Sequence, residues 1–235
     1  MKLWVGTSGY SYKKWLGPFY PERLPSKEML RFYASRLASV EINNTFYRLP
    51  KEDVVASWAE QVPAEFRFAV KASQKITHVK RLRETAEEVA YLYRTVSLLG
   101  GRLGPVLFQL PPSLRSDVQR LNKFVSDLPE GAVAAFEFRH PSWLNDEALA
   151  CLRARNCALC IADTDEAETP DLIPTATWGY LRLRRSNYSA DDLRAWKERI
   201  LSQGWNEAYV FFKHEDEGIG PRSAAEFVNL VVPER

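Results

Sequence analysis

The stretch Ala132-Val133-Ala134-Ala135-Phe136-Glu137-Phe138-Arg139 runs apolar for five residues, then sets Glu137 and Arg139 two apart at its carboxyl end. Side chains alternate across a strand, so those two share a face. Seven other runs repeat the design: 3–8, 39–46, 67–73, 105–111, 157–163, 178–184 and 207–214. By the same parity Glu41 pairs with Asn43, Lys71 with Ser73, and Arg182 with Arg184. Ser8, Gln109, Asp163 and Lys213 hold equivalent late positions. A buried strand gains nothing from an unpaired charge. Polar residues at eight strand ends therefore read as an active-site mouth, because parallel α/β barrels carry their chemistry at the carboxyl ends of the strands.

Segments of helical period fill the gaps. In 26–37, Ser26 is a candidate cap, and Met29, Leu30, Tyr33 and Leu37 recur on one face. The segment 84–99 stops at Gly100-Gly101, a strong helix end. Further helices are expected over 51–62, 116–128, 145–155, 189–203 and 223–231. The sixth unit breaks the pattern: 166–177 contains Pro170 and Pro174 and reads as a loop with at most one turn of helix. The expected fold is α/β, a (β/α)8 TIM-like barrel with an irregular sixth βα unit, one domain over 1–235. A doubly wound open sheet is the structural alternative. Gly6-Thr7-Ser8-Gly9 lacks the GxGxxG spacing of its dinucleotide fingerprint, and no cofactor is expected.

Composition fits a soluble globular chain: 46% hydrophobic and 26% charged residues. A net charge of +2 gives no argument for nucleic acid by itself. No run has the length of a membrane span, so no membrane partner is expected. The start, Met1 to Ser8, reads as the first strand, since Gly6 breaks it too soon for a signal h-region. Three cysteines favour a reducing, cytoplasmic setting. Cys157 and Cys160 form a CxxC, but a separation of three puts their sulfurs on opposite faces of a strand, and both read as buried thiols.

Several segments then match a known family in order: Gly6-Thr7-Ser8-Gly9-Tyr10, Glu41-Ile42-Asn43-Asn44-Thr45-Phe46-Tyr47 and Phe68-Ala69-Val70-Lys71-Ala72. Gln109-Leu110-Pro111-Pro112-Ser113, Glu137-Phe138-Arg139-His140-Pro141-Ser142-Trp143 and Phe211-Phe212-Lys213-His214 continue the match. The chain resembles the YecE-like family, also called domain of unknown function 72, over essentially its whole length. The resemblance implies a TIM-barrel-like fold and no particular reaction.

Glu41 and Glu137 lie on different strands and form the candidate catalytic pair, since two carboxylates in unequal surroundings can divide acid and base roles. Simple salt bridges, Glu41 to Lys71 and Glu137 to Arg139, are the structural alternative. Lys71 reads as a charge holder kept protonated by Glu41 rather than a Schiff-base amine. Arg139, Arg182 and Arg184 offer planar donors for phosphate or carboxylate. Lys71, Arg139, Arg182, Arg184 and Lys213 outnumber Glu41, Glu137 and Asp163, so a small anion is the expected partner. His78, His140 and His214 lack any HxH or HExxH spacing, and no metal is expected. His78, in the basic run 71–83, reads as exposed; His140, at a strand end before Pro141, reads as a mouth residue. The long loop 9–25 brings Tyr10 and Trp15 to the same end as Tyr47 and Trp143, as pocket walls or as rings that bury one another.

The leading expectation is a metal-independent enzyme working on a small sugar-phosphate or nucleotide-like anion. Glu41 and Glu137 would be catalytic. Tyr10, Trp15, Asn43, Tyr47, Lys71, Gln109, Arg139, His140, Trp143, Asp163, Arg182 and Lys213 would bind substrate. The rival readings are nucleic-acid binding or metal-assisted phosphodiester cleavage as in endonuclease-IV-like barrels, and ligand binding without catalysis.

Overall fold

The computed structural model describes residues 1–213 and 217–231; His214 lies outside them. Eight parallel strands close into one barrel in sequence order. They are β1 Lys2–Ser8, β2 Ser39–Ile42, β3 Arg67–Lys71, β4 Leu103–Gln109, β5 Ala134–Glu137, β6 Ala158–Asp163, β7 Trp178–Leu183 and β8 Glu207–Phe212. The helices are α1 Met29–Ala34, α2 Glu52–Glu60, α3 Ala86–Val96, α4 Val118–Ser126, α5 Asp146–Ala154, α6 Ala190–Leu201 and α7 Ile219–Val231. No helix lies between β6 and β7, where the two prolines stand. Among the described residues no helix is long and apolar enough to cross a membrane.

Local chemistry sets the helix starts. Asp117 caps α4 by accepting from the Arg120 N–H, one residue later than Ser116. Asn145 caps α5, and Ser189 with Asp192 forms a reciprocal capping box on α6.

Alternation along each strand divides the apolar residues into two cores. Val40, Phe68, Val70, Phe108, Phe136, Leu159, Ile161, Leu181 and Phe212 face outward into the helix layer. Trp4, Ala69, Leu107, Ala135, Ala158, Cys160, Trp178, Tyr180, Tyr209 and Phe211 fill the bore. Trp4 and Tyr209 stack at 6.1 Å, with Trp178 edge-on to Tyr209, closing the amino end of the bore with aromatic rings. The polar ends of the strands therefore sit over a floor filled mainly by aromatic and small side chains. Cys157 and Cys160 fall into different cores, and burial pushes the Cys157 thiol up to about 12.

Two details hold the strands that carry the site. The Tyr33 hydroxyl, from α1, accepts from the Thr7 N–H and donates to the Ser39 carbonyl, tying β1 to β2. Gly179 leaves room for Trp205, since a Cβ there would lie 2.3 Å from the indole ring.

Candidate functional site

At the carboxyl end of the bore one guanidinium joins two carboxylates. Arg182 on β7 donates through Nη2 to Glu41 Oε1 on β2 at 2.9 Å. Its Nη1 donates to Glu137 Oε2 on β5 at 2.6 Å. All three side chains are buried. Neutral donors take up the remaining lone pairs. Ser8 donates to Glu41 Oε1 at 2.6 Å, Tyr180 to Glu41 Oε2 at 2.7 Å, and Asn43 to Glu41 Oε1 at 2.9 Å. Gln109 donates to Glu137 Oε2 at 2.8 Å. Parity explains much of the convergence: Ser8, Gln109, Glu137, Tyr180 and Arg182 each fall two or four positions after an inward residue of the bore.

The electrostatics follow from this packing. Burial alone would raise the Glu137 carboxyl, but Arg182, Arg139 and the Gln109 hydrogen bond outweigh it and hold it at about 2. Glu41 is likewise lowered against its own desolvation by Arg182, Ser8, Tyr180 and Asn43. Both are firmly ionised carboxylates, better suited to holding charge than to donating a proton. Desolvation and the neighbouring Arg182 pull Lys71 down to about 8, against the pull of Glu137 and Glu41. Burial is the larger influence, so Lys71 sits below its ordinary range although Glu41 and Glu137 still favour its protonated form. The Lys71 ammonium instead lies 4.1 Å over the Phe46 ring.

The rim is cationic. Arg139 donates to Glu137 Oε1 at 3.0 Å, and Arg184 approaches the same oxygen at 3.8 Å. One carboxylate therefore serves three guanidiniums. Among the described residues the buried Nε atoms of Arg182 and Arg184 have no hydrogen-bond partner. Lys213 continues the inward parity of β8, half-buried, with its N–H on the Leu183 carbonyl.

Several expected site residues lie elsewhere. Asp163 is buried on the outward face of β6, with Leu159 and Ile161, and not in the mouth. It accepts from Arg185, Tyr188 and Trp196 in the helix layer. The bulky residues of β6 face outward, and Asp163 shares their parity, which is why it turns away from the bore. Trp15 is fully buried among Tyr12, Phe19 and Tyr20. Trp143 is also fully buried, stacked on Phe138 at 4.9 Å and donating to the Leu114 carbonyl. These indoles are large apolar bodies, and sealing the loops under the barrel end buries them best. His140 spends its Nδ1 on Ser142, capping the turn at Pro141–Trp143. Tyr47 is exposed at this end with its ring on Phe46. Tyr10 and Asn43 line a side hollow of about 350 Å³ between the first two loops. His78 is half-buried rather than exposed, edge-on to Phe46 and bonded to Thr77 Oγ1.

Tyr180 was missed as a site residue. Its signal was present: it stands two before Arg182, hence on the same face. Among the described residues no group of three His, Cys, Asp or Glu side chains is placed to hold a metal ion.

A family model described as Protein of unknown function DUF72 matches residues 4–235. The chain belongs to this family. UPF0759 protein YecE of Escherichia coli strain K12 is 32% identical over 142 residues, covering 60% of this chain and 50% of that protein. The chain spans about half the length of that relative. UPF0759 protein YunF of Bacillus subtilis strain 168 is 22% identical and covers 97% of this chain and 94% of its own. Among solved structures, a DUF72 family protein from Thermotoga maritima MSB8 superimposes with a TM-score of 0.87 at 28% identity, covering 98% of this chain and 99% of that one. A methyltransferase from Methanosarcina mazei reaches a TM-score of 0.51 at 11% identity, covering 97% of this chain and 92% of that one, a likeness of fold alone. The Thermotoga maritima protein thus shares this barrel along its length.

Proposed function

We propose that the barrel mouth binds a small anionic ligand, sugar-phosphate or nucleotide-like, and acts on it by proton exchange at Lys71. The observation that carries this reading is the guanidinium excess on Glu137. Arg182, Arg139 and Arg184 share that carboxylate, and Arg139 and Arg184 are partly exposed at the rim, with more N–H donors than Glu137 can satisfy. A phosphate-type anion offers the oxygens that those donors lack. Lys71 borders the same group and is held near neutral pH, where a lysine exchanges protons readily. Glu41 and Glu137 then serve to hold Arg182 in place, and Ser8, Tyr180, Asn43 and Gln109 to hold the carboxylates. A ligand's charge would stand over a filled bore, with little water beneath it to screen the interaction.

The test is thermal unfolding in sulfate against chloride at equal ionic strength. A ligand at a hundredfold excess over Kd stabilises by about 2.7 kcal/mol. Sulfate should raise the Tm of the native protein by several degrees. Arg184→Ala should lose most of that rise, whereas Arg94→Ala, on an exposed face of α3, should keep it. An equal rise in both variants would reduce the effect to general salting and end the anionic-ligand reading. The catalytic half is tested separately, by phosphorus NMR of sugar phosphates and nucleotides incubated with the native protein and with Lys71→Met. Binding without turnover in both would leave a ligand-binding protein.

A further inference from the structure

A second cationic feature lies beside the mouth and takes no part in the carboxylate cluster. The loops after β3 and β4 enclose an open groove of about 600 Å³. Lys80, Arg81, Arg83, Arg115 and Arg120 line it, with Asp117 as its acidic lining residue. Two of these cations are already spoken for: Lys80 bonds Glu88, and Arg120 bonds Asp117. Arg81, Arg83 and Arg115 are exposed, and no ion pair holds any of them among the described residues. Arg81 reaches only the Ser113 hydroxyl, at 3.5 Å.

The backbone that presents them is unusual. Lys75–Val79 forms one turn of π-helix. Arg81, Leu82 and Glu84 then follow with φ of 51°, 66° and 49°. Left-handed backbone is strained for a non-glycine residue. The excursion buries Leu82 to 4% exposure and leaves Arg81 and Arg83 flanking it at the surface. The Leu82 N–H on the Ile76 carbonyl and the Lys80 ammonium on the Glu84 carbonyl hold the loop in this form. Strained backbone and π-turns of this kind cluster at binding sites.

We infer that this groove is a second anion-binding site, built for a small ligand with more than one phosphate-type group. Three unpaired planar guanidiniums from two loops suit several oxygens at once, which one carboxylate would not satisfy. The groove's volume lies within the usual range of small-ligand pockets. This inference does not depend on the mouth, because the two sites share no residue.

The probe is inorganic pyrophosphate, titrated calorimetrically at fixed pH and ionic strength. The native protein should bind it, and the double variant Arg81→Ala with Arg115→Ala should bind at least about tenfold more weakly, one tenfold step being 1.4 kcal/mol. The control double variant Arg94→Ala with Arg153→Ala removes the same two charges elsewhere and should bind as the native protein does. All four side chains are exposed, so both variants should unfold at the native Tm. Performing the titration in an Arg184→Ala background removes the mouth's contribution. If the groove variant then still binds as tightly as its parent, the inference is overturned while the reading of the mouth stands. A mixed-sequence single-stranded oligonucleotide serves as the second probe. Oligonucleotide binding tenfold tighter than pyrophosphate would overturn the assignment to a small ligand.

Discussion

Two buried carboxylate nodes use similar chemistry on opposite faces of the barrel wall. Inside, Glu41 and Glu137 flank Arg182. Outside, Asp163 accepts from Arg185, Tyr188 and Trp196. The outer node is closed: one acid, one guanidinium and two neutral donors satisfy one another and pin α6 and the loop 184–188 to β6. The inner node is open: its charges are paired at the base, but the rim adds Arg139 and Arg184 to a carboxylate already in use. Charge pairing alone therefore does not mark a functional site. The inner node differs in its surplus of positive over negative side chains, which favours an opposite charge.

The largest effect should come from breaking the inner node at its hub. Arg182→Ala leaves the buried Glu41 without its guanidinium and Glu137 with only the rim partners Arg139 and Arg184, and removing one partner of a buried pair costs about 3–5 kcal/mol. Denaturant unfolding at neutral pH measures it. The pH dependence carries a sign. In the native protein the depressed Glu137 carboxyl contributes stability above its unfolded value, and that stability fades as pH falls toward about 2. Without Arg182 the Glu41 carboxyl resists ionisation, so the deficit should narrow on acidification through the ordinary carboxylate range. A loss under about 1 kcal/mol at neutral pH would mean that the carboxylates are solvated or paired otherwise.

A smaller loss is expected at the outer node. Asp163→Asn keeps the shape and removes the charge that Arg185 faces, at a cost of about 1–3 kcal/mol for disturbing a buried hydrogen-bonded charge. Sulfate stabilisation should be unchanged, since Asp163 does not face the mouth. A change in sulfate response as large as that of Arg184→Ala would show that the two nodes communicate through β6 and β7.

Parity explains both what the sequence yielded and what it withheld. Glu41, Lys71, Gln109, Glu137 and Arg182 were legible because each strand alternates and each charge repeats the position of its neighbours. The irregular sixth unit was legible from Pro170 and Pro174. Asp163 was assigned by its place near the strand end rather than by counting from Leu159 and Ile161, whose bulk marks the helix-facing side. Trp15 and Trp143 show a different gap: their loops do lie at the mouth end, but whether a ring faces ligand or core depends on packing between segments far apart in sequence. The hub role of Arg182, bridging strands two and five across the bore, needed closure of the barrel and could not be read from local spacing.

The smallest and most specific effect concerns Lys71. Its ammonium faces Phe46 and lies within the fields of Arg182, Arg139, Glu137 and Glu41, and it is held at about 8. Below that pH it is charged and favours an anion in the mouth; above it the amine is neutral and the attraction is lost. Sulfate is the suitable probe, because it does not titrate in this range. Its affinity should fall by roughly threefold to tenfold between pH 7 and 9, the size expected of one partly screened charge. His78 does not account for such a fall: burial and the nearby Lys71 lower its pKa from the ordinary histidine value, so it is neutral throughout. Lys71→Met should bind weakly and without this pH dependence, and Lys71→Arg should keep the affinity while flattening the profile. If Lys71→Arg retained the native decline, the titrating group would lie elsewhere, and proton exchange at Lys71 would have to be given up even with the anion site intact.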